Sequence, residues 1–181
     1  MQPEERKTRM TPNLPPVPPE PLKLEFAFQI RMFFNERMRL EPTTPMGGRV
    51  YVPPVSGEIT GPRLQGTVMP YSGGDYARGR ADGVAELNAH YMLQAADGAL
   101  IYINNRGFLY GRDDDGKPLM LSDAQKKTEG FKIKRNTYFH ITPIFDAPVG
   151  PHEWLTRTVI IGRGRRLPDP DQTVFDYYAV V

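Results

Sequence analysis

The sequence contains no cysteine, and only one tryptophan and three histidines occur among its 181 residues. Without cysteine, disulfide bonds, thiolate nucleophiles, iron–sulfur clusters and thiolate zinc sites are all excluded. No segment approaches the ~20 consecutive apolar residues of a membrane-spanning helix. The first ten residues also lack the apolar stretch of a signal peptide. We therefore expect a cytoplasmic protein without a membrane partner.

An excess of charge of one sign is also missing. The 23 basic and 21 acidic residues leave a formal net charge of +2. Because a nucleic-acid-binding protein concentrates basic residues on one face, we expect no nucleic-acid partner. Turn-forming residues are abundant instead, with 17 glycines and 19 prolines beside 10% aromatic residues. This mixture is typical of short strands joined by many turns.

The composition changes at residue 21. Residues 1–21 are rich in proline and poor in apolar side chains, so they predict an extended or disordered arm that buries little surface. A polyproline ligand for a partner protein is the alternative interpretation of the PPVPP sequence within it. Residues 22–181 are long enough to form one domain with a substantial core.

Alternation of apolar and polar residues predicts about eight strands after residue 22. The clearest pair is a hairpin, with Asp97 and Gly98 in the turn between VAELNAHYML and ALIYINNRGFLY. Residues 71–83 are rich in turn signals, and residues 121–130 could hold one short helix with Ser122 as its N-cap. Three more strands are predicted in NTYFHITPIFDA, HEWLTRTVIIGRG and QTVFDYYAVV. Successive antiparallel strands without βαβ alternation indicate a mainly β barrel or sandwich.

A family resemblance supports the barrel. The succession SGEITGPRLQGTVMPYSGGD, DGVAELNAHYML, DGALIYINNRG, YFHITPIFDA and WLTRTVIIGRG resembles the uncharacterised bacterial family named domain of unknown function 3237. The resemblance runs in the same order over residues 22–181, and its members are similar in shape to allene oxide cyclase and lipocalins. It implies an antiparallel calycin-like β-barrel of about eight strands with at most one short helix. Because such barrels often self-associate, we expect a homo-oligomer, a dimer. The resemblance implies no established reaction.

Two residues are candidates for proton transfer. Alternate side chains of a barrel of about eight strands point inward, where the lumen holds side chains or one small ligand. We expect Glu86 and His140 to act there as catalytic acid and base, because histidine titrates near neutral pH and a nearby carboxylate raises its basicity. The alternative is that the polar face with Glu86, Asn88 and His90 lies in solvent, as does His140.

Further side chains could line the same pocket. One of the two asparagines, Asn104 and Asn105, is expected to face the ligand while the other is structural. Asp75 could stand at the pocket mouth, but a turn cap is the preferred interpretation. Trp154 suits either a core position or the wall of an aromatic pocket. The predicted substrate-binding residues are His90, Tyr102, Asn105, Arg106 and Trp154.

The polar groups on adjacent strands favour a cofactor-independent enzyme over a carrier. Such an enzyme would be an isomerase, cyclase or lyase/hydratase that applies acid–base chemistry to a small apolar or aromatic metabolite in the barrel. The alternative is a non-catalytic, lipocalin-like protein that binds a small hydrophobic ligand. A purely structural dimer with a filled lumen is a third possibility. We expect no cofactor and no metal, because three scattered histidines lack the paired spacing of a metal site.

Overall fold

A computed structural model describes residues 15–112, 115–117, 137–167 and 170–181. No helix among these residues is long and apolar enough to cross a membrane. Residues 15–23 are exposed and form no strand, whereas residues 1–14 of the predicted arm and the predicted helix at 121–130 lie outside the described residues. The regular elements are β1 (Leu24–Phe34), β2 (Met38–Thr44), β3 (Gly47–Val52), β4 (Pro54–Thr60), β5 (Gly66–Val68), β6 (Gly74–Gly79), β7 (Ala85–Ala95), β8 (Leu100–Gly111), β9 (Thr137–Asp146), a 3-10 helix (Glu153–Thr156), β10 (Ile160–Leu167) and β11 (Gln172–Val180).

These strands form a closed, eight-stranded antiparallel β-barrel, which confirms the predicted fold. Three strands of the barrel are each interrupted once, so that β1 continues into β2, β3 into β4 and β5 into β6. Pro53 lies between β3 and β4, where its missing N–H interrupts the ladder. Pairing of β7 with β8 over residues 85–94 of β7 closes the ring.

The core of the barrel is made by the apolar face of each alternating strand. On β7 the buried residues are Ala89, Tyr91, Leu93 and Ala95, while the intervening polar side chains point outward. The inward faces of the other strands are similarly apolar and carry several aromatic rings. The largest fully buried side chains are Tyr91, Tyr177, Phe28, Ile30, Ile59, Leu93, Ile101, Ile103, Ile141 and Val68.

Different apolar side chains lie at the two ends of the barrel. At the end near the β7–β8 turn, Trp154 packs edge-on against Phe28 with ring centroids 6.4 Å apart. Trp154 belongs to the 3-10 helix, so the prediction of a strand through this residue is wrong and the strand begins at Ile160. At the opposite end, Phe34, Leu87 and Leu109 pack against the core yet keep part of their surface exposed. Partly buried apolar side chains therefore lie at both ends of the described barrel.

Candidate functional site

The segment before β6 brings that strand closely against β7. The Ser72 hydroxyl donates to the carbonyl of Met69 (2.7 Å) and accepts the backbone N–H of Met92 (3.0 Å). At Gly73, an added Cβ would lie 1.8 Å from the carbonyl oxygen of His90. Only glycine permits so close an approach of the two backbones. The Gly-rich sequence, which by itself predicts a loop, is therefore needed so that β6 can pack closely against β7.

Asp75 follows this segment and lies on the inner face of the sheet. It is the register partner of Ala89, and cross-strand partners share a face. Ala89 belongs to the buried core. The Asp75 Oδ1 accepts the backbone N–H of Asn88 at 3.0 Å. On the outer face, Gly74 makes room for the Tyr51 ring, which would lie 2.3 Å from an added Cβ.

Three buried polar side chains, Tyr91, Asn105 and Tyr177, interact within the lumen. They are only 2%, 2% and 0% exposed, respectively. The Asn105 Nδ2 donates to the Tyr177 hydroxyl at 3.2 Å. By distance and angle, the Tyr91 hydroxyl and the Asn105 Oδ1 complete no hydrogen bond within the described part of the chain, although Tyr177 and Asn105 both influence the pKa of Tyr91. Burying an unpaired polar atom is costly, so these two atoms are unusual for a core position.

Burial controls the protonation of these interior groups. It raises the pKa of the Asp75 carboxyl from the usual 3.8 to about 6, although the Asn88 N–H stabilises the charged form. Burial also raises the pKa of Tyr91 and of Tyr177, so both remain neutral hydroxyls at neutral pH. The negative charge of Asp75 adds to the raised pKa of Tyr91. A carboxyl group that titrates near neutrality beside neutral hydroxyls is suited to accept and return a proton.

The predicted catalytic residue Glu86 lies on the outer face of β7. Arg78 Nε donates to its Oε2 at 2.9 Å, and an Arg80 guanidinium nitrogen lies 3.5 Å from its Oε1. The expectation that Glu86 faces the lumen is wrong, because the apolar side chains of Ala89 and Tyr91 already occupy the inner face of the strand.

The outer face also carries three of the predicted binding residues, and again the predicted lumenal position is wrong. The Tyr102 hydroxyl lies 2.5 Å from His90 Nδ1, and His90 Nε2 lies 2.9 Å from the Asn88 Oδ1. The neutral Nε2–H tautomer of His90 satisfies both contacts. In the orientation that satisfies its neighbours, in which the side-chain O and N of Asn104 exchange places, Asn104 donates to the Asn88 Oδ1 (3.2 Å). In the same orientation it accepts from the Arg106 guanidinium (3.2 Å). His90, Tyr102 and Arg106 therefore do come together, but outside the barrel.

His140, the second predicted catalytic residue, is exposed on the outer face of β9. Its ring packs on Tyr138 with centroids 4.5 Å apart. Partial burial, together with the positive charges of Arg163 and Arg112, lowers the pKa of His140. Its predicted place in the lumen is wrong, because Phe139 and Ile141 point inward on this strand. Among the residues described, no group of three or more His, Asp or Glu side chains is placed to hold a metal ion.

The remaining two predicted residues lie in different parts of the barrel. Asn105 is buried in the lumen, as expected for one of the two asparagines. Its role in binding substrate stays a prediction. Trp154 lies at the end near the β7–β8 turn, where the Arg63 guanidinium stands 3.7 Å above its ring. It is partly buried and packs against the core there, at the end opposite Leu87 and Leu109.

Sequence reasoning missed Asp75 as a lumenal group and gave Tyr91 and Tyr177 no polar role. One signal was available, since Asp75, Ala77 and Gly79 alternate with larger polar side chains through the turn-rich stretch. That period of two indicates a strand. The glycines before it concealed the strand, because they also fit a loop.

The fold and the interior groups together define a class of protein, a small closed β-barrel with titratable groups inside an apolar lumen. Comparison with known families identifies the family to which the chain belongs. The model of the family described as "Protein of unknown function (DUF3237)" matches residues 22–180, and the chain belongs to this family. The resemblance noted in the sequence is thereby confirmed.

Relatives with curated sequences and solved structures cover most of the chain. The UPF0311 protein blr7842 of Bradyrhizobium diazoefficiens is 30% identical over 138 residues, which span 76% of this chain and 84% of the relative. The crystal structure of a protein with unknown function from Clostridium acetobutylicum shares the fold with a TM-score of 0.74 and 24% identity, covering 91% of this chain and 100% of the other. The crystal structure of an enzyme from Penicillium herquei has a TM-score of 0.65 at 19% identity, covering 92% of this chain and 99% of that one.

Proposed function

We propose that the protein is a cofactor-independent enzyme that performs acid–base chemistry on a small apolar or aromatic molecule in the barrel lumen. The observation that carries this proposal is Asp75, a carboxyl on the inner wall with a pKa of about 6. Near pH 7 such a group is mostly ionised, so it accepts a proton readily and returns it without a large free-energy penalty. The reaction would be an isomerisation, cyclisation or elimination/hydration.

The interior groups suit a substrate with a carbonyl oxygen. In this scheme the Asp75 carboxylate removes a proton from the carbon next to the carbonyl. The electron pair of the broken C–H bond forms a C=C bond to the carbonyl carbon, and the C=O π pair moves to the carbonyl oxygen. The unpaired Tyr91 hydroxyl donates to that oxygen as its negative charge develops. In a β,γ-unsaturated carbonyl compound, the protonated Asp75 then returns the proton to the γ-carbon as the C–O π bond re-forms, which moves the C=C double bond without any co-reactant.

The surroundings of these groups support an apolar substrate. Leu87 and Leu109 present partly exposed apolar surface at one end of the barrel. Apolar walls bind the body of a ligand, and a few polar groups fix its orientation. The fold is also that of a structure described as an enzyme from Penicillium herquei, although at 19% identity this likeness concerns the fold alone.

Exchange of carbon-bound protons with solvent tests the proposal without knowledge of the natural substrate. Small aryl ketones such as 1-indanone and 2-tetralone are incubated with the protein in deuterium oxide, and deuterium at the α-carbon is followed by NMR. We expect the wild-type protein to accelerate exchange and Asp75→Asn to lower that acceleration by about 100-fold or more. Asp146→Asn is the matched control, because it removes an exposed carboxylate from the outer face of β9. Equal acceleration by wild type and Asp75→Asn would refute the assignment of Asp75.

A carrier of a small hydrophobic ligand is the second candidate, and the apolar, aromatic interior favours it. The neutral dye Nile red separates the two candidates. If the protein is a carrier, the wild type and the Asp75→Asn variant bind the dye in the lumen equally well, and neither accelerates exchange on any ketone of the series. An enzyme binds the dye and also shows exchange that depends on Asp75.

A further inference from the structure

A groove of about 440 Å³ lies on the outer wall of the barrel, over β6, β7 and β8. Its lining includes the arginines Arg49, Arg78 and Arg106, with Glu86 as the one carboxylate among its lining residues. The sheet lies between this groove and Asp75, and the groove reaches the barrel end at Leu87. Its volume lies within the range of small-molecule sites.

Two of these guanidinium groups are paired with no carboxylate of the residues that the structure describes. Glu86 is already paired with Arg78. An Arg49 guanidinium nitrogen donates to the backbone carbonyl of Tyr76 at 3.0 Å, and Arg106 donates to the amide oxygen of Asn104 at 3.2 Å. Within the described ranges of the chain, neither Arg49 nor Arg106 forms a salt bridge. The groove therefore attracts an anion.

The Arg106 side chain is also held in place. A row of hydrogen bonds runs from Tyr102 through His90, Asn88 and Asn104 to the Arg106 guanidinium. Asn104 is only 9% exposed although it lies on the outer wall. A solvated surface arginine needs no such support. Fixing the orientation of a guanidinium reduces the entropy lost when it binds an oxyanion through two parallel hydrogen bonds.

Aromatic side chains lie in the same groove as these arginines. Tyr76 and Phe108 line the groove, and each is 46% exposed. Exposed rings bind flat apolar groups, and guanidinium groups bind carboxylate or phosphate oxygens in their plane. We propose that the outer groove is a second binding site, for a flat aromatic small molecule that carries a carboxylate or phosphate, with Arg106 as the principal anion contact. This proposal does not rest on the proposed function of the lumen.

Titration of the isotope-labelled full chain by NMR tests the site. The probes are phenyl phosphate and benzoate as aromatic anions, inorganic phosphate as an anion without a ring, and benzyl alcohol as a neutral ring. We expect both aromatic anions to shift the amides of Arg106, Phe108 and Thr142 saturably, and benzyl alcohol to leave them unchanged. The relative affinities of phenyl phosphate and benzoate identify the preferred anionic group.

Variants separate a built site from general surface charge. Arg106→Gln is expected to weaken binding of the preferred anion by about tenfold or more, because one charge-assisted contact is lost. Arg106→Lys keeps the charge but not the planar fork, so we expect an intermediate loss. Arg163→Gln, an exposed arginine outside the groove, should change affinity by less than about twofold. Asp75→Asn should leave binding unchanged, since it lies on the other side of the sheet.

Three results would overturn the inference. The first is the absence of saturable shifts with either aromatic anion up to about 20 mM, well above the dissociation constant of a weak specific site. The second is an equal loss of affinity in Arg106→Gln and Arg163→Gln, which would indicate diffuse electrostatic attraction. The third is equal affinity for inorganic phosphate and phenyl phosphate, which would remove the aromatic part of the proposed ligand.

Discussion

Asp75 is a carboxyl group in an environment that disfavours its charge. Among the described residues, one hydrogen bond, from the Asn88 N–H, compensates for its burial, and no cationic side chain of these residues contributes to its pKa. A carboxylate kept for stability would normally have an opposite charge or several donors around it. The buried charge of Asp75 lowers stability, which is typical of a residue that is kept for function.

The first prediction concerns stability and pH. Because the folded-state pKa of about 6 exceeds the usual 3.8, the protonated form of Asp75 favours folding, and this stabilisation is lost as the pH rises through 6. Asp75→Asn removes the penalty of the buried charge and keeps an Oδ1 acceptor for the Asn88 N–H. We expect the variant to be more stable than wild type by about 1–3 kcal/mol at pH 7.5 and nearly equal to it near pH 4. Urea unfolding at the two pH values measures this difference, and a variant less stable than wild type at pH 7.5 would contradict it.

The second prediction separates structure from function at Tyr91. Its hydroxyl is buried without a hydrogen-bonding partner in the described residues. Tyr91→Phe keeps the ring in the core, so the free energy of unfolding should stay equal or rise by up to about 1 kcal/mol. Deuterium exchange on the aryl ketones should nevertheless slow by about 10-fold or more, because a donor to the developing oxyanion is lost. A clear loss of stability with unchanged exchange would instead indicate a structural hydroxyl.

At the scale of single elements, β7 and β8 were the easiest strands to predict from the sequence. Their alternation and the Asp97–Gly98 turn predict the hairpin, and Gly98 adopts a φ of 88° there. The same alternation, taken alone, also predicts that Tyr91 and the other apolar residues face the core. Because we expected a polar lumen, we predicted that Glu86 and His90 lie on the inner face of β7, and they lie on its outer face. Periodicity identifies two faces, but it cannot tell which face of a barrel strand a ligand would use.

The β6 strand was harder to predict because its entry depends on contacts distant in sequence. Gly73 and Gly74 fit a loop as well as a strand, and only the carbonyl of His90 and the ring of Tyr51 explain why they are needed. The Asp75 side chain gains its raised pKa from burial within the closed barrel. No local pattern reveals that burial, so the most important residue of the candidate site could not be recognised from sequence alone.

The third prediction tests how β6 is positioned. A Cβ at Gly74 would collide with the Tyr51 ring, so Gly74→Ala should destabilise the protein by about 1–3 kcal/mol. Removing the ring by Tyr51→Ala should relieve the collision, so the double variant should be more stable than the sum of the two single effects predicts. Chemical unfolding of the four proteins gives the coupling energy. Strict additivity would show that the ring does not confine this strand.

At the scale of the whole molecule, the closed barrel accounts for both the interior site and the outer groove. One wall, formed by β6, β7 and β8, presents Asp75 and Tyr91 to the lumen and Arg106 to the outside. Because successive side chains of a strand point to opposite faces, the same short sequences supply both sites. Before β1, the described residues 15–22 are exposed and form no strand, and the first backbone contact with the barrel is made by Lys23.

The fourth prediction concerns that preceding segment. A variant lacking residues 2–20 retains Lys23, whose carbonyl accepts the backbone N–H of Val181 at 3.0 Å. We expect its Tm to differ from that of the full chain by less than about 2 °C, because residues 15–20, the described part of the deleted segment, are exposed. Thermal unfolding by circular dichroism measures the change. A decrease of about 5 °C or more would show that the arm packs on the barrel.

The titration of Asp75 itself tests the central claim most directly. The side-chain carboxyl carbon of Asp75, assigned by comparison with Asp75→Asn, can be followed by NMR from about pH 3 to pH 9 in the full-length protein. We predict an inflection at about pH 6, with Asp75→Asn lacking this resonance. A pKa at or below about 4 would mean that Asp75 is an ordinary solvated carboxylate, and the lumenal acid–base site would have to be abandoned.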